Sequence, residues 1–255
     1  MSMNTMPTLH QDHSINRQPQ QRHTQAEPNE AKAGIFSSLA LCILLAGCAG
    51  PKPGHEAWTV LFDGSSTAAF RGFHMDSFPK EQWTVEDGLL KSIPGKGVDL
   101  ISREKFEDFD LELECKVSVS ANSGILYGVT EATAETYWSG PEMQINDDPN
   151  HPDGLVAKTA AGSLYDLLPP DSHKQLKPTG EFDRFRIVST NGHVEHWLNG
   201  AKILEYDWSG TATRDLIAHS KFKNAPYFMK ERNGHIALQH HGDAVWFRNI
   251  RIRRL

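Results

Sequence analysis

Residues 184–207 read RFRIVSTNGHVEHWLNGAKILEYD, from Arg184 to Asp207. Three alternating runs, 184–189, 193–198 and 202–207, are separated by Asn191-Gly192 and Asn199-Gly200. A period of two sends successive side chains to opposite faces of an extended chain, the pattern of a half-buried β-strand. Asn-Gly is the strongest short-range signal for a type I′ hairpin, because both central residues must adopt positive φ. The stretch therefore predicts three antiparallel strands joined by tight turns.

The same texture continues from Trp58 to Leu255, with further strands expected at 82–86, 110–118, 124–130, 142–146, 235–240 and 245–253. Helical periodicity is nearly absent. Short strands with turn signals between them predict an all-β antiparallel sandwich in a single domain, 58–255. Irregular stretches at 147–158, 168–180 and 209–230 are broken by prolines from Pro149 to Pro226. Loops of such length in a compact domain are usually functional, and they are expected on the rim beside the strand that carries Glu142.

Upstream, residues 1–33 are polar and cannot bury enough surface to fold. Residues 34–48 form an apolar run too short to span a bilayer, but as long as a signal-peptide core. It ends in Leu45-Ala46-Gly47-Cys48, which resembles the lipobox of bacterial lipoproteins. The expected organisation is a leader and signal peptide at 1–47, a lipidated Cys48 with a linker to residue 57, and then the domain. A membrane-anchored protein of the cell envelope follows, on the outer membrane facing the periplasm because Ala49 is not an acidic retention signal. Cys115 alone would remain as a free thiol, and its alternating strand predicts a packed residue rather than a nucleophile.

With 38% apolar residues and a net charge of −6, the chain suits a soluble domain and gives no sign of nucleic-acid binding. The one dense basic cluster, Arg248 to Arg254, alternates with Phe247, Ile250 and Ile252 as a closing strand does.

Chemistry concentrates in Ser139-Gly140-Pro141-Glu142-Met143-Gln144-Ile145-Asn146-Asp147-Asp148. As a strand, it places Glu142 and Gln144 together on an open face and turns Met143 and Ile145 to the core. Asn146, Asp147, Asp148, His151 and Asp153 form an oxygen-rich loop with the donor types of a calcium or other divalent-cation site, although their spacing matches no standard loop. No cofactor is otherwise expected.

Several segments together resemble one family: Trp58-Thr59-Val60-Leu61-Phe62-Asp63-Gly64, Asn122-Ser123-Gly124, Glu142-Met143-Gln144-Ile145, Gly162-Ser163-Leu164-Tyr165, Trp197-Leu198-Asn199-Gly200, Leu238-Gln239-His240-His241-Gly242 and Phe247-Arg248-Asn249-Ile250. In this order they are similar to the 3-keto-disaccharide hydrolase domain, which has a concanavalin A-like fold. The resemblance implies a carbohydrate substrate already oxidised at C3 by a partner oxidoreductase. A ketone at C3 acidifies the C2 proton, so a base can remove it and the C1 substituent can leave; water then adds to the resulting glycal.

For that chemistry Glu142 is the expected base and His241 the second acid/base, since an imidazole titrates where a leaving oxygen needs a proton. Gln144, Tyr165, Arg248, Asp147 and Trp138 are the expected substrate-binding residues, Arg248 as a cationic fork on the developing enolate. Two other readings stand beside it. Glu142-x-Gln144-x-x-Asp147 resembles the acidic motif of laminarinase-like retaining glycosidases, and a non-catalytic carbohydrate-binding module would use Trp138 as its platform.

Overall fold

A computed structural model describes residues 56–255, so the Cys48 lipobox lies outside the described residues. The chain runs through β1 (Thr59–Phe62), β2 (Phe70–Gly72), β3 (Trp83–Glu86), β4 (Leu89–Ser92) and β5 (Leu100–Phe106). Next come β6 (Phe109–Val117), β7 (Asn122–Val129) and β8 (Glu142–Asn146). The opening stretch forms β9 (Asp183–Thr190), β10 (His193–Leu198) and β11 (Ala201–Asp207), and β12 (Gly234–Leu238) and β13 (Val245–Arg254) close the chain.

Both Asn-Gly turns have the backbone that the residues demand: φ is 52° and 84° at Asn191 and Gly192, and 50° and 88° at Asn199 and Gly200. The hairpins then pair antiparallel, His193 opposite Thr190 and Leu198 opposite Ala201. They form one end of an eight-stranded sheet ordered β11-β10-β9-β6-β13-β4-β3, with β1 beside β13. A five-stranded sheet, β2-β5-β12-β7-β8, packs against it. The result is the expected antiparallel β-sandwich.

Alternation builds the core between the sheets. Leu111, Leu113 and Cys115 from β6 and Phe185 and Ile187 from β9 meet Ile125, Tyr127, Met143, Ile145, Ile236 and Leu238 from the smaller sheet. Cys115 is a buried free thiol, and burial pushes it well above the ordinary thiol range, so it is packing rather than a nucleophile.

The outward face of the larger sheet carries the basic cluster, each member held by a carboxylate. Arg186 and Arg253 bind Asp110, Arg184 and Arg251 bind Glu112, and Arg248 binds Glu114. Arg248 is thereby placed on the opposite sheet from Glu142, its guanidinium 3.9 Å from the Phe182 ring centroid, and cannot act as the enolate fork expected of it. The three-residue step from Phe247 to Ile250 is a β-bulge, with Asn249 at φ 53° and a register shift between Arg248 and Arg251.

Three further differences have local causes. Strands β1, β2 and β4 have three or four residues, too few to display a period. In β5 three consecutive charged residues, Arg103, Glu104 and Lys105, interrupt the alternation. Thr211–Ala218 forms an α-helix inside a stretch read as irregular; only Thr213 on it is fully buried, and the two apolar residues it packs on the core, Leu216 and Ile217, are too few to reveal a period.

Candidate active site

The site lies on the outer face of the five-stranded sheet. Across β7 and β8, Leu126 pairs with Glu142, Gly124 with Gln144 and Asn122 with Asn146. The strand β12 continues the rows, with Ala237 opposite Leu126 and the Gln239 amide donating to the Gly124 carbonyl at 2.9 Å. On the other side the chain at 163–165 runs along β8: the Tyr165 amide donates to the Glu142 carbonyl and the Gln144 amide to that of Ser163. Alternation turns Met143 and Ile145 inward to the core, as expected.

The other face is not open, however. Glu142 is 6% exposed and Gln144 is fully buried. A cleft of about 330 Å³ is lined by Asn122, Tyr137, Trp138, Glu142, Tyr165, Lys221, Gln239 and His241. Trp138, at the end of a 3-10 turn (Thr136–Trp138), packs edge-on against Phe222 with centroids 6.2 Å apart and lies 5.0 Å from Tyr137. These rings give the cleft its aromatic wall.

Each residue of Asn122-Ser123-Gly124 has a task here. The Asn122 amide donates to Asp153 at 3.1 Å, and the Ser123 hydroxyl donates to the Gln239 carbonyl at 2.8 Å. Gly124 leaves room for Glu142: a Cβ there would lie 2.7 Å from Glu142 Cδ, closer than real contacts permit. The Glu142 carboxyl thus rests on bare backbone. Among the described residues, it has no hydrogen-bond partner to stabilise its charge.

Burial is the main reason that Glu142 is raised from 4.5 to about 8, with Asp99 and Asp153 adding repulsion and Lys221 opposing them. The Lys221 ammonium lies 4.2 Å from the Tyr165 ring centroid and 5.3 Å from that of Tyr137. Its own pKa is lowered by burial, offset by the charges of Glu142, Asp166 and Asp153. The Asp166 carboxylate accepts from the Lys221 backbone amide at 2.9 Å, which anchors the 209–230 loop over the sheet. Sequence reading marked that loop as functional but did not single out Lys221.

His240 and His241 diverge, as adjacent strand residues should. His241 faces the cleft; His240 packs edge-on against Trp83 with centroids 5.5 Å apart. The His240 Nδ1 accepts from Gly242 N, so its Nε2 donates to the Ile93 carbonyl at 3.0 Å. Gly242 supplies the sharp exit with φ 104°.

Two expected binding residues lie elsewhere. The Gln144 side chain is on the same face as Glu142 but one row along and covered, outside the cleft lining. Its amide O and N have no hydrogen-bond partner among the described residues, and the same holds for Ser163 Oγ beside it and Gln239 Oε1 across Gly124. Buried polar groups of this kind are usually satisfied by ordered water.

Asp147 is committed to its loop, where it accepts from Ser120 N at 2.6 Å, Asn150 Nδ2 at 2.9 Å and Thr179 Oγ1 at 2.6 Å. These donors outweigh its desolvation and lower its pKa. It therefore does not face Glu142 as the second carboxyl of a retaining pair would.

In the oxygen-rich loop the carboxylates take donors from the protein. Asp148 accepts from Asn146 Nδ2, Ala161 N and Lys174 Nζ, while Asp153 accepts from Asn122 and, at 3.4 Å, from the Tyr165 hydroxyl. Among the described residues, the one group of three or more His, Cys, Asp or Glu with ligand atoms within 4.8 Å of one another is His193, Glu195 and Glu205, on the other sheet. Lys202 already bridges those two glutamates.

Comparison with known proteins gives the family of the chain. Residues 57–253 match the family model described as the 3-keto-alpha-glucoside-1,2-lyase-like domain. A 3-keto-disaccharide hydrolase of Bacteroides thetaiotaomicron is 35% identical over 231 residues, covering 78% of this chain and 79% of that one. A crystal structure from Parabacteroides distasonis, described as that of a candidate glycosyl hydrolase, superposes with a TM-score of 0.73 at 28% identity over 78% of this chain and 94% of its own. A second structure from that organism, described in the same way, gives 0.64 at 26% identity, over 78% of this chain and 100% of its own. With the whole sandwich matched from Ala57 to Arg253, the chain belongs to the 3-keto-alpha-glucoside-1,2-lyase-like domain family.

Proposed function

We propose that the protein cleaves the glycosidic bond of 3-keto-glycosides, chiefly 3-keto-disaccharides, by elimination followed by hydration. Glu142 takes the C2 proton, the electron pair of that C–H bond passes into a C2–C3 enolate with its charge on the C3 oxygen, and as the pair returns to form the C1–C2 double bond the C1–O bond breaks. The departing oxygen takes a proton from His241. Lys221, rather than Arg248, donates to the C3 oxygen as it gains negative charge. Water then adds across C1 and C2, and the sum is hydrolysis.

One observation carries this reading: the cleft lining contains a single carboxyl group, desolvated and raised to about 8, beside one imidazole and one ammonium. A base with a near-neutral pKa suits removal of a proton next to a ketone. An ordinary glycosidase needs two carboxyls across the scissile bond. The aromatic wall would also serve a carbohydrate-binding module, but a binder gains nothing from a carboxyl held at such an electrostatic cost.

The ketone has to come from an enzyme that oxidises sugars at C3, which makes such an oxidoreductase the functional partner. We further propose that the chain is cut before Cys48, lipidated there and anchored to the outer membrane; Leu45-Ala46-Gly47-Cys48 is the supporting feature.

The decisive experiment incubates the purified protein with a glucoside and its 3-keto derivative in parallel. Cleavage of the keto form alone supports elimination, and equal cleavage of the unoxidised glucoside refutes it.

A further inference from the structure

The Glu142 cleft does not end at His241. Tyr137, Gln239 and His241 also line a second cavity of about 350 Å³, completed by the chain at 96–99, by Phe73 and His74, by Ala134 and Glu135 and by His240. Trp138 and Lys221 border a third cavity, of about 380 Å³, which shares Ala134 with the second and is lined also by Ala132, Asn224, Ala225, Pro226 and Tyr227. The two neighbours have different chemistry. One presents charged and amide groups, the other mainly small apolar side chains and one tyrosine ring.

The reaction decides between them. In the elimination proposed above the proton donor must stand at the oxygen attached to C1, and whatever that oxygen carries extends past the donor. His241 belongs to the Glu142 cleft and the second cavity, but not to the third. The third cavity shares Lys221, which that mechanism puts at the C3 oxygen, on the far side of C2 from the leaving group. The leaving group therefore points over the Tyr137–Gln239–His241 saddle.

The groups found there are suited to hydroxyls. Asp99 is already engaged: its carboxylate accepts from the His240 amide at 2.8 Å and from the Thr136 hydroxyl. His74 is also occupied, its ring bonded to the Thr133 carbonyl at 2.8 Å. Lys96 and Glu135 are exposed, and their side chains have no ion-pair or hydrogen-bond partner among the described residues. A donor of three protons and an acceptor carboxylate remain free at the rim of one ring-sized space.

We propose that the cavity formed by Lys96–Asp99, Glu135 and the Tyr137–His241 saddle is the leaving-group subsite, and that Lys96 and Glu135 select a hydroxylated sugar ring there. The inference rests on the elimination reading and adds to it the residues that set specificity for the departing half. It also assigns the apolar third cavity no part in holding that half.

The test compares three variants, Lys96→Ala, Glu135→Ala and Tyr227→Ala, on a 3-keto-disaccharide and on methyl 3-keto-glucoside, whose leaving group is too small to reach the second cavity. Lys96→Ala and Glu135→Ala should each raise KM and lower kcat/KM for the disaccharide by about tenfold, the equivalent of about 1.4 kcal/mol. The methyl glycoside should be turned over at the wild-type rate, and Tyr227→Ala should leave both substrates unaffected. Equal losses on both substrates would mean that the two residues support the fold or the Glu142 cleft, and overturn the proposal. So would an unchanged disaccharide rate, or a loss specific to the disaccharide in Tyr227→Ala. Wild-type protein that cleaves neither keto substrate would instead refute the elimination reading itself, and the subsite with it.

Discussion

Replacing Glu142 by Gln exchanges one carboxyl oxygen for an amide group and removes the charge while keeping the volume. In the folded protein the carboxyl titrates near 8 against an ordinary value of 4.5. The folded state thus holds the proton more tightly than the unfolded chain does. This contribution to stability is fully present below about pH 4.5, is lost progressively as pH rises to about 8, and is constant beyond that. At about 1.36 kcal/mol per unit of pKa shift, its upper limit is about 5 kcal/mol. Glu142→Gln should therefore melt with the wild type in acid and above it at pH 8.5, by several degrees at about 2–4 °C per kcal/mol for a domain of this size.

Turnover should move the other way, falling by a factor on the order of 10² to 10⁴, as loss of a general base does. Exchange of the C2 hydrogen with deuterated solvent should vanish with it. In the wild type the Glu142 limb of the kcat/KM profile should rise with pH up to about 8, because only about a tenth of the free enzyme holds the base form at pH 7, and loss of the His241 proton should set the opposing limb of a bell-shaped profile. The assays are thermal melts across pH, steady-state kinetics on a 3-keto-glycoside and mass spectrometry of recovered substrate. A melting difference that does not change with pH would refute the desolvation of Glu142. Undiminished C2 exchange in the variant would make another group, most plainly His241, the base.

Gly124→Ala should drive the Glu142 carboxyl from its seat and cut kcat at least tenfold, with a β-rich circular dichroism spectrum retained; a fully active variant would show that the close approach is unimportant. Arg248→Ala should leave turnover unchanged and cost no more than about 1 kcal/mol, as expected for a partly exposed ion pair, read by urea denaturation. Cys115→Ala should cost about 1–2 kcal/mol for a small core truncation yet retain activity, and the native thiol should resist a disulfide reagent until the protein unfolds. Mass spectrometry of the envelope-bound protein should find an acylated Cys48 as its first residue; an intact Met1 would rule out the lipobox reading.

How much of the site was legible in the sequence depended on whether local spacing fixes a residue's direction. Met143 and Ile145 had to face the core once 142–146 was a strand, so Glu142 had to face away from it. His241 follows by the same alternation, since Leu238 and His240 turn to the opposite side. Trp138 and Tyr165 were found through motifs next to that strand. Gln144 shares the face of Glu142, and alternation located it correctly, but periodicity carries no information about which row the segment at 163–165 covers.

The missing cation shows the limit most clearly. Phe-Arg-Asn-Ile offered Arg248 as the partner for negative charge on the substrate, and its alternation was read correctly as a strand facing outward. A strand pattern specifies a face of its own sheet, however, and cannot say which of two sheets it joins. The strand β13 pairs with β6, whose Glu112 and Glu114 then capture Arg251 and Arg248, so this arginine ladder is neutralised before any substrate arrives. The ammonium that lines the cleft with Glu142 comes from Lys221, in a segment without period, held in place by one Asp166 carboxylate more than fifty residues earlier in the chain. An arginine already paired on a rigid sheet stabilises the sandwich, whereas a lysine carried by a loop and kept beside aromatic rings can give its charge to a developing enolate. On the proposed mechanism the division of work between the two cations follows from the pairing of strands, and it is tested by comparing Arg248→Ala with a neutral replacement at Lys221.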